Sequence, residues 1–298
     1  MKRSKLNRVT PSRAVFLVFA VLFLLLIAVV CFIPMWHVVM ASISDPTQLN
    51  VNKGLVLAPL ERVDTTAYTM ILAYQSLWTG YRNTIFYIVL ACLITGVLTI
   101  MAGFVFSRNR FFYRNTFMLI ISFTMLFNGG MIPTYMVINS IGMVDTIWAM
   151  VIPGALNVFN IILMRTSMQE ISDSLEEAAR LDGANDFVIM FKIILPLCKA
   201  TFAVIMLFTI VMKWNDYMSA LIYLPTRDDL QPLQMALRQI LFQSTQEITS
   251  SSSVSNATVY ARSVEYAAIV VSTLPILLVY PFVQKYFVTG MTIGAVKA

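Results

Sequence analysis

A stretch of charged, small and apolar residues between residues 174 and 196 has the spacing of a docking segment rather than of a catalytic site. It reads SLEEAARLDGANDFVIMFKIILP. Ser174 and Glu177 are three residues apart, as in a capping box, so a helix is predicted to begin at Ser174. Gly183 can supply the left-handed conformation that ends a helix, and a second short helix is predicted from about Asn185. The pattern therefore predicts a helix–glycine–helix elbow.

The predicted elbow carries small and charged side chains that another protein could contact. Its adjacent small residues, Ala178 and Ala179, would let the backbone of a partner approach closely. The charged residues that would fix the register of such a contact are Glu176, Glu177, Arg180 and Asp182. On spacing alone, an amphipathic linker without a partner is the alternative.

Side chains able to do covalent or metal chemistry are scarce and dispersed. The chain has one histidine, His37, and three cysteines, all of them in or beside apolar runs. A zinc site requires several nitrogen or sulfur ligands, and no G-x-x-x-x-G-K-[S/T] phosphate-binding loop occurs in the sequence. We therefore expect a non-catalytic chain without a metal or cofactor of its own.

The composition places the elbow in a membrane protein. Apolar residues make up 58% of the 298-residue chain and charged residues 12%, against roughly 45–50% and roughly 25% in soluble domains. The net charge of +6 comes from basic residues at the edges of apolar runs, which is typical of membrane topology. A soluble enzyme, a disordered protein and a nucleic-acid-binding domain are thus excluded, and membrane lipids are the expected surroundings.

Six apolar segments approach or exceed the ~20 residues with which a helix crosses a bilayer. They are residues 14–40, 84–106, 116–138, 147–164, 201–222 and 264–283. Both termini are predicted to be cytoplasmic, because this orientation leaves most of the Lys and Arg residues on the cytoplasmic side. The elbow then lies in a long cytoplasmic loop, residues 165–199.

Polar residues inside the predicted spans are candidates for contacts with a substrate. Lys213 and Asp216 are three residues apart and share a helix face, and Trp214 and Asn215 lie between them. A charge inside a membrane usually faces a cavity or a partner, so this group is predicted to line a pathway. A structural Lys–Asp pair near the outer interface is the alternative.

Three asparagines in predicted spans are further candidates for the same pathway. They are Asn128, Asn157 and Asn160. Hydrogen bonds between helices explain such residues as readily as substrate contacts do, and we favour packing for each of them.

The elbow resembles the EAA motif of permease subunits of ABC importers. That motif has Glu-Ala-Ala, three residues, Gly, nine residues and Ile-x-Leu-Pro. The matching residues here are Glu177, Ala178, Ala179, Gly183, Ile193, Leu195 and Pro196. In that family the loop forms a coupling helix that sits in a cleft of the ATP-hydrolysing subunit. The residues to which the resemblance assigns this coupling are Glu176, Glu177, Ala178, Ala179, Arg180, Asp182, Gly183, Ala184 and Pro196.

Other stretches resemble the carbohydrate-uptake (MalG-like) branch of these permeases. Residues 288–298 are similar to a C-terminal tail that reaches between two ATPase subunits, and this similarity implies tail contacts by Gly294 and Lys297. Residues 127–165 and 266–288 look closer to the LplC/YtcP branch. Permeases of that branch are associated with the uptake of oligosaccharides and polysaccharide fragments, chiefly in Gram-positive bacteria.

The resemblance implies an all-α integral membrane protein with six transmembrane helices and the type I ABC importer (MetI-like) permease fold. Residues 1–82 would hold a cytoplasmic segment, the first span and an external loop. Residues 83–286 would form the permease core, and residues 287–298 the cytoplasmic tail.

The implied partners are a second homologous permease, two ATP-binding subunits that carry ATP and magnesium, and an extracellular solute-binding lipoprotein that delivers an oligosaccharide. The implied location is the plasma membrane of a Gram-positive bacterium. Two alternatives stay open. A permease for peptides or amino acids would use the same elbow, and a membrane-embedded enzyme would need a cluster of catalytic side chains that the sequence does not offer.

Overall fold

The computed structural model describes the backbone of residues 11–127, 129–250 and 256–295, and the side chains of residues 12–127, 129–242 and 259–278. Its helices, in chain order, are α1 (Pro11–Ser42), α2 (Pro46–Val51), α3 (Thr66–Ala73), α4 (Gln75–Ser107), α5 (Arg114–Leu126), α6 (Met131–Ser140), α7 (Ile147–Val151), α8 (Val158–Gln169), α9 (Asp173–Leu181), α10 (Asp186–Val188), α11 (Leu195–Leu197), α12 (Lys199–Trp214), α13 (Met218–Tyr223), α14 (Leu233–Ser250) and α15 (Asn256–Ala295). A π-helical segment, Ile189–Ile194, joins α10 to α11, and a 3₁₀ turn, Asp228–Leu230, precedes α14. Within the described ranges, β-structure is limited to one isolated bridge between Ser44 and Val63.

Several helices are long and apolar enough to cross a membrane. In the described part of the chain, three qualify alone, over Ser12–Ser42, Gln75–Ser107 and Val259–Leu278. Two strongly bent helix pairs each give one more crossing if the pair is counted as a single span. The bend is 115° between α5 and α6 and 86° between Asp186–Leu197 and α12. The all-α membrane class is therefore confirmed, and the count of six spans stays a prediction.

The predicted span 147–164 is wrong as a continuous helix. It is divided into α7 and α8 by an irregular stretch that contains Pro153 and Gly154. Proline cannot donate a helical hydrogen bond, and Gly154 has a φ of +83°, outside the helical region. Asn157 then begins α8, because its side chain accepts hydrogen bonds from the first turn.

Two other predicted spans are also interrupted. Residues 201–222 are divided into α12 and α13, and Asp216 starts the second helix by accepting a hydrogen bond from the Ser219 N–H at 3.1 Å. Residues 116–138 are divided into α5 and α6, which begins after Gly130, a residue with a φ of +89°. In each case a local signal, from a side chain or from the backbone, interrupts a helix inside an apolar run.

The chain forms two compact units, of which one comprises Met1–Ala73 and Leu241–Val271. Its short helices α2 and α3 follow the long, exposed α1. A small core forms around Ala41, Leu49 and Val56, which are buried and packed against partly buried neighbours.

The other unit comprises Tyr74–Ile240 and Ser272–Ala298. Helix α4 is its central element and packs against α8 and α12. Buried side chains from these helices and from the π-helical segment form one core: Ile100, Phe104, Met164, Met168, Ile189, Met190, Ile194, Cys198 and Ile205. The inner side of the elbow packs on this core through Ala179 and Ala184.

Candidate functional site

The first helix of the elbow, α9, begins earlier than predicted. Its N-cap is Ser172, whose hydroxyl accepts a hydrogen bond from the backbone N–H of Ser174 at 3.3 Å. Asp173 and Glu176 lie in the first turn, where the helix dipole favours negative charge. The capping box predicted from Ser174 and Glu177 is therefore wrong, because the Ser172 side chain already caps a free backbone N–H group at the start of the helix.

Gly183 ends α9 in the left-handed conformation, as predicted, with a φ of +84°. Its N–H donates to the carbonyl of Arg180 at 3.0 Å, and the N–H of Ala184 donates to the carbonyl of Ala179 at 3.0 Å. These two bonds form a complete Schellman motif. The chain therefore turns sharply at a position that has no Cβ to strain it.

The second part of the elbow begins at Asn185, also as predicted. The Asn185 side chain accepts a hydrogen bond from the Val188 N–H at 2.9 Å. Helix α10 continues into the π-helical segment, and Pro196 lies in α11. Because proline has no N–H to donate to the preceding turn, the regular helical bonding is interrupted there. The chain bends by 86° before α12.

Two of the predicted docking charges, Glu176 and Arg180, are paired with each other within the chain. The Glu176 side chain is only 10% exposed, and its Oε1 accepts a hydrogen bond from Arg180 Nη2 at 2.8 Å. Arg180 Nη2 also donates to Asp186 Oδ1 at 2.5 Å. The hydrogen bond to Glu176 is the largest cause of a raised pKa for Arg180. Glu176 Oε2 lies 3.3 Å from Nη1 of Arg108.

The opposite side of the elbow is open. The exposed residues of the elbow include Glu177, Ala178, Leu181, Asp182, Gly183, Phe187 and Pro196. Leu181 is 90% exposed and Phe187 64% exposed. Apolar side chains exposed next to acidic groups are typical of a surface that another protein covers.

Leu181 and Phe187 were not identified as candidates from the sequence. The signal for Leu181 was present, because it follows Glu177 by four residues and so shares its helix face. Phe187 carried a weaker signal, since the apolar run of the second helix predicts a buried position for it. We define the outer face of the elbow as Glu177, Ala178, Leu181, Asp182 and Phe187.

The candidate pathway residues at the end of α12 are engaged with their own chain. Lys213 Nζ donates to the carbonyl of Met150 at 2.6 Å and lies 3.4 Å from Asp216 Oδ2. Trp214 is buried, and its indole N–H donates to the carbonyl of Ser272 at 3.2 Å. The Asn215 side chain donates to the carbonyl of Val211 at 2.8 Å. These bonds tie α12 to α7 and α15, and a pathway role for the group stays a prediction.

The remaining predicted site residues lie elsewhere. Asn157 accepts hydrogen bonds from Phe159 N and Asn160 N, and Asn160 is buried in the first turn of α8. Asn128 and Lys297 fall outside the described residues, and Gly294 lies where only the backbone of α15 is described. In the described part of the chain, no group of three or more His, Cys, Asp or Glu residues could hold a metal ion.

Comparison with known proteins connects this geometry to a protein family. A family model described as "binding-protein-dependent transport system inner membrane component" matches residues 95–293. The chain is similar to the polygalacturonan/rhamnogalacturonan transport system permease protein YtcP of Bacillus subtilis, at 38% identity over 92% of this chain and 96% of the relative. It is also similar to Protein LplC of Bacillus subtilis, at 34% identity over 97% of both chains.

A solved structure is similar as well. It is described as the crystal structure of a bacterial ABC transporter involved in the import of the acidic polysaccharide alginate. The TM-score is 0.82, with 33% sequence identity, and the match covers 93% of this chain and 98% of that chain. These similarities confirm the resemblance predicted from the elbow and from the stretches at 127–165 and 266–288.

Proposed function

Because the chain belongs to the family of binding-protein-dependent transport system inner membrane components, we propose that it is the permease subunit of an ATP-driven importer of oligosaccharides or polysaccharide fragments. Members of this family are bacterial membrane permeases that work with partner subunits and a solute-binding protein, and the chain is not an enzyme.

The observation that carries the proposal is the outer face of the elbow. Helix α9 presents Glu177 and Leu181 to its surroundings, while its inner side is held by ion pairs and by the core. A rigid element with an exposed apolar and acidic surface suits docking into a groove of another protein. We propose that this groove belongs to an ATPase subunit.

We propose the following assembly around the chain. A second homologous permease completes the translocation pathway, two ATPase subunits that bind ATP and magnesium sit at the cytoplasmic side, and a solute-binding lipoprotein delivers the sugar from outside. Both termini are cytoplasmic, and Gly294 and Lys297 in the tail reach the ATPase pair. The Bacillus relatives support a Gram-positive plasma membrane.

Acidic polysaccharide fragments are the substrates to test first. The names of two similar proteins concern polygalacturonan and rhamnogalacturonan in one case and alginate in the other. Others concern neutral sugars, such as the arabinooligosaccharide permease AraQ of Halalkalibacterium halodurans, at 24% identity. We therefore propose oligosaccharides as the class, with uronate oligomers as the leading candidates.

The test is purification of the chain from its native membrane, followed by reconstitution of what co-purifies. We expect a second permease and an ATPase in the complex, and ATP-dependent uptake of trigalacturonate, an alginate trimer or an arabinose trimer into liposomes. A tripeptide is the control substrate. Uptake of the tripeptide with none of the sugars would contradict the substrate class, and the absence of any ATPase would contradict the importer itself.

A further inference from the structure

Arg108 joins the ends of three helices with one guanidinium group. It follows the last residue of α4 and is only 6% exposed. Its Nη2 donates to the carbonyl of Met168 near the end of α8 at 2.5 Å, and its Nε lies 3.0 Å from the Ser107 hydroxyl. Its Nη1 lies 3.4 Å from Asp173 Oδ1 and 3.3 Å from Glu176 Oε2, both in α9.

The positive charge of Arg108 lies where the surrounding groups are negative. Carbonyl groups at the C-terminal ends of α4 and α8 carry partial negative charge, which a cation stabilises. Carboxylates in the first turn of α9 supply full negative charge. A planar guanidinium can bind several such groups at once in fixed directions, which a lysine ammonium cannot do in the same way.

The ion pairs continue from Arg108 as an open chain. Glu176 bridges Arg108 and Arg180, and Arg180 binds Asp186 after the glycine turn. Asp186 Oδ2 also lies 3.9 Å from Nη1 of Arg110, but this is the longest contact of the chain and the Arg110 side chain is exposed. These residues border a cavity of about 280 Å³ at the end of α4. Both halves of the elbow are thereby connected to Arg108.

The two neighbouring glutamates of α9 therefore have different surroundings. The Glu176 side chain is buried against Arg108 and Arg180, whereas Glu177 is exposed on the outer face. Successive residues of a helix point about 100° apart, so one glutamate can face the permease body while the next faces a partner.

We propose that Arg108 is a positioning residue for coupling: it fixes the elbow to α4 through Glu176, so that a displacement of α9 by the ATPase moves α4 with it. Glu176 belongs to this internal link, and Glu177 belongs to the docking surface. This inference rests on the proposed function, because the displacement comes from the ATPase. Removing one partner of a buried ion pair leaves the other charge uncompensated. Such a change would loosen the contact between α4 and α9 without altering the outer face.

The test compares Arg108→Gln with Arg110→Gln in the reconstituted complex of permeases, ATPase subunits and solute-binding protein. Arg110 lies in the same turn, but its side chain is 74% exposed and its ion pair is longer. We expect Arg108→Gln to keep the ATPase bound and to lower trigalacturonate imported per ATP hydrolysed by about tenfold. Arg110→Gln should change this ratio by less than about twofold. An assembled Arg108→Gln complex with an unchanged ratio would overturn the inference.

A second comparison covers the case in which Arg108→Gln does not insert. Glu176→Gln should lower the amount of trigalacturonate imported per ATP hydrolysed while the ATPase stays bound. Glu177→Gln should instead weaken co-purification of the ATPase. The reverse pattern, or the same effect from both, would overturn the division of roles.

A spin-label pair at Val105 and Leu181, on α4 and α9, separates failure of the inference from failure of the proposed function. Arg108→Gln should broaden the distance distribution even if the unsubstituted complex imports no sugar. An unchanged distribution would contradict the proposed link.

Discussion

Gly103 on α4 and Met164 on α8 approach each other so closely that only glycine fits. A Cβ built on Gly103 would lie 2.8 Å from Met164 Cγ and 3.0 Å from Met164 Cβ. Both helices contribute to the core that carries the elbow. The spacing between α4 and α8 is therefore set by the absence of a side chain at one position.

We predict that Gly103→Val destabilises the permease by about 1–3 kcal/mol or more, because overpacking forces the two helices apart. Thermal unfolding of the purified protein in detergent measures the effect. Gly129→Val is the matched control, since the nearest atom to a Cβ there is 3.7 Å away. Equal melting temperatures for the two variants would show that the helices can separate without cost.

We predict that Gly183→Val abolishes transport while the protein still inserts. The space around Gly183 is open, but its φ of +84° strains any β-branched residue, at a cost of roughly 1–2 kcal/mol. Gly183→Asn should retain much of the activity, because asparagine tolerates this conformation. Sugar uptake by the valine variant at the level of the asparagine variant would show that the turn is dispensable.

We predict that Leu181→Ala weakens binding of the ATPase subunit about tenfold or more, as loss of an interface anchor does. Titration of purified ATPase onto the permease complex measures the affinity. Leu57→Ala is the control, because Leu57 is also exposed (57%) but lies in the predicted external loop. If both variants bind the ATPase like the unsubstituted chain, the outer face is not the docking surface.

We predict that the elbow and the loop before α3 lie on opposite sides of the membrane. Cysteine at Lys53 should react with an impermeant thiol reagent in intact cells, and cysteine at Asn185 should react only after permeabilisation. The native Cys31, Cys92 and Cys198 are free thiols and are replaced first. Labelling of the Asn185 position in intact cells would reverse the orientation and remove the docking site from the ATPase.

The elbow was predictable from the sequence because its determinants are local. Gly183 and Asn185 act through hydrogen bonds within a few residues of themselves, and the motif that contains them is short. The inward direction of Glu176 depends on Arg108, which reaches it only through the packing of α4 against α8. An ion pair between such distant residues cannot be predicted from the residue spacing within one segment.

The interruptions of the predicted spans were missed for a different reason. Pro153 and Gly154 are residues that commonly end helices. A hydropathy average over about 20 residues hides them, because their neighbours are apolar. The break at Asn215 and Asp216 is subtler, because these side chains end one helix and start the next through their own hydrogen bonds. Hydropathy reports burial in lipid and not the continuity of a helix.

Cross-linking from the outer face of the elbow tests the central claim most directly. A photoreactive amino acid is placed at Leu181 in the full complex in native membranes, with the same amino acid at Leu57 as the control. We predict that illumination joins the Leu181 position to a subunit that binds ATP and leaves the Leu57 position without that product. The claim would be contradicted if the Leu181 position captured no ATP-binding subunit, or if both positions captured it equally.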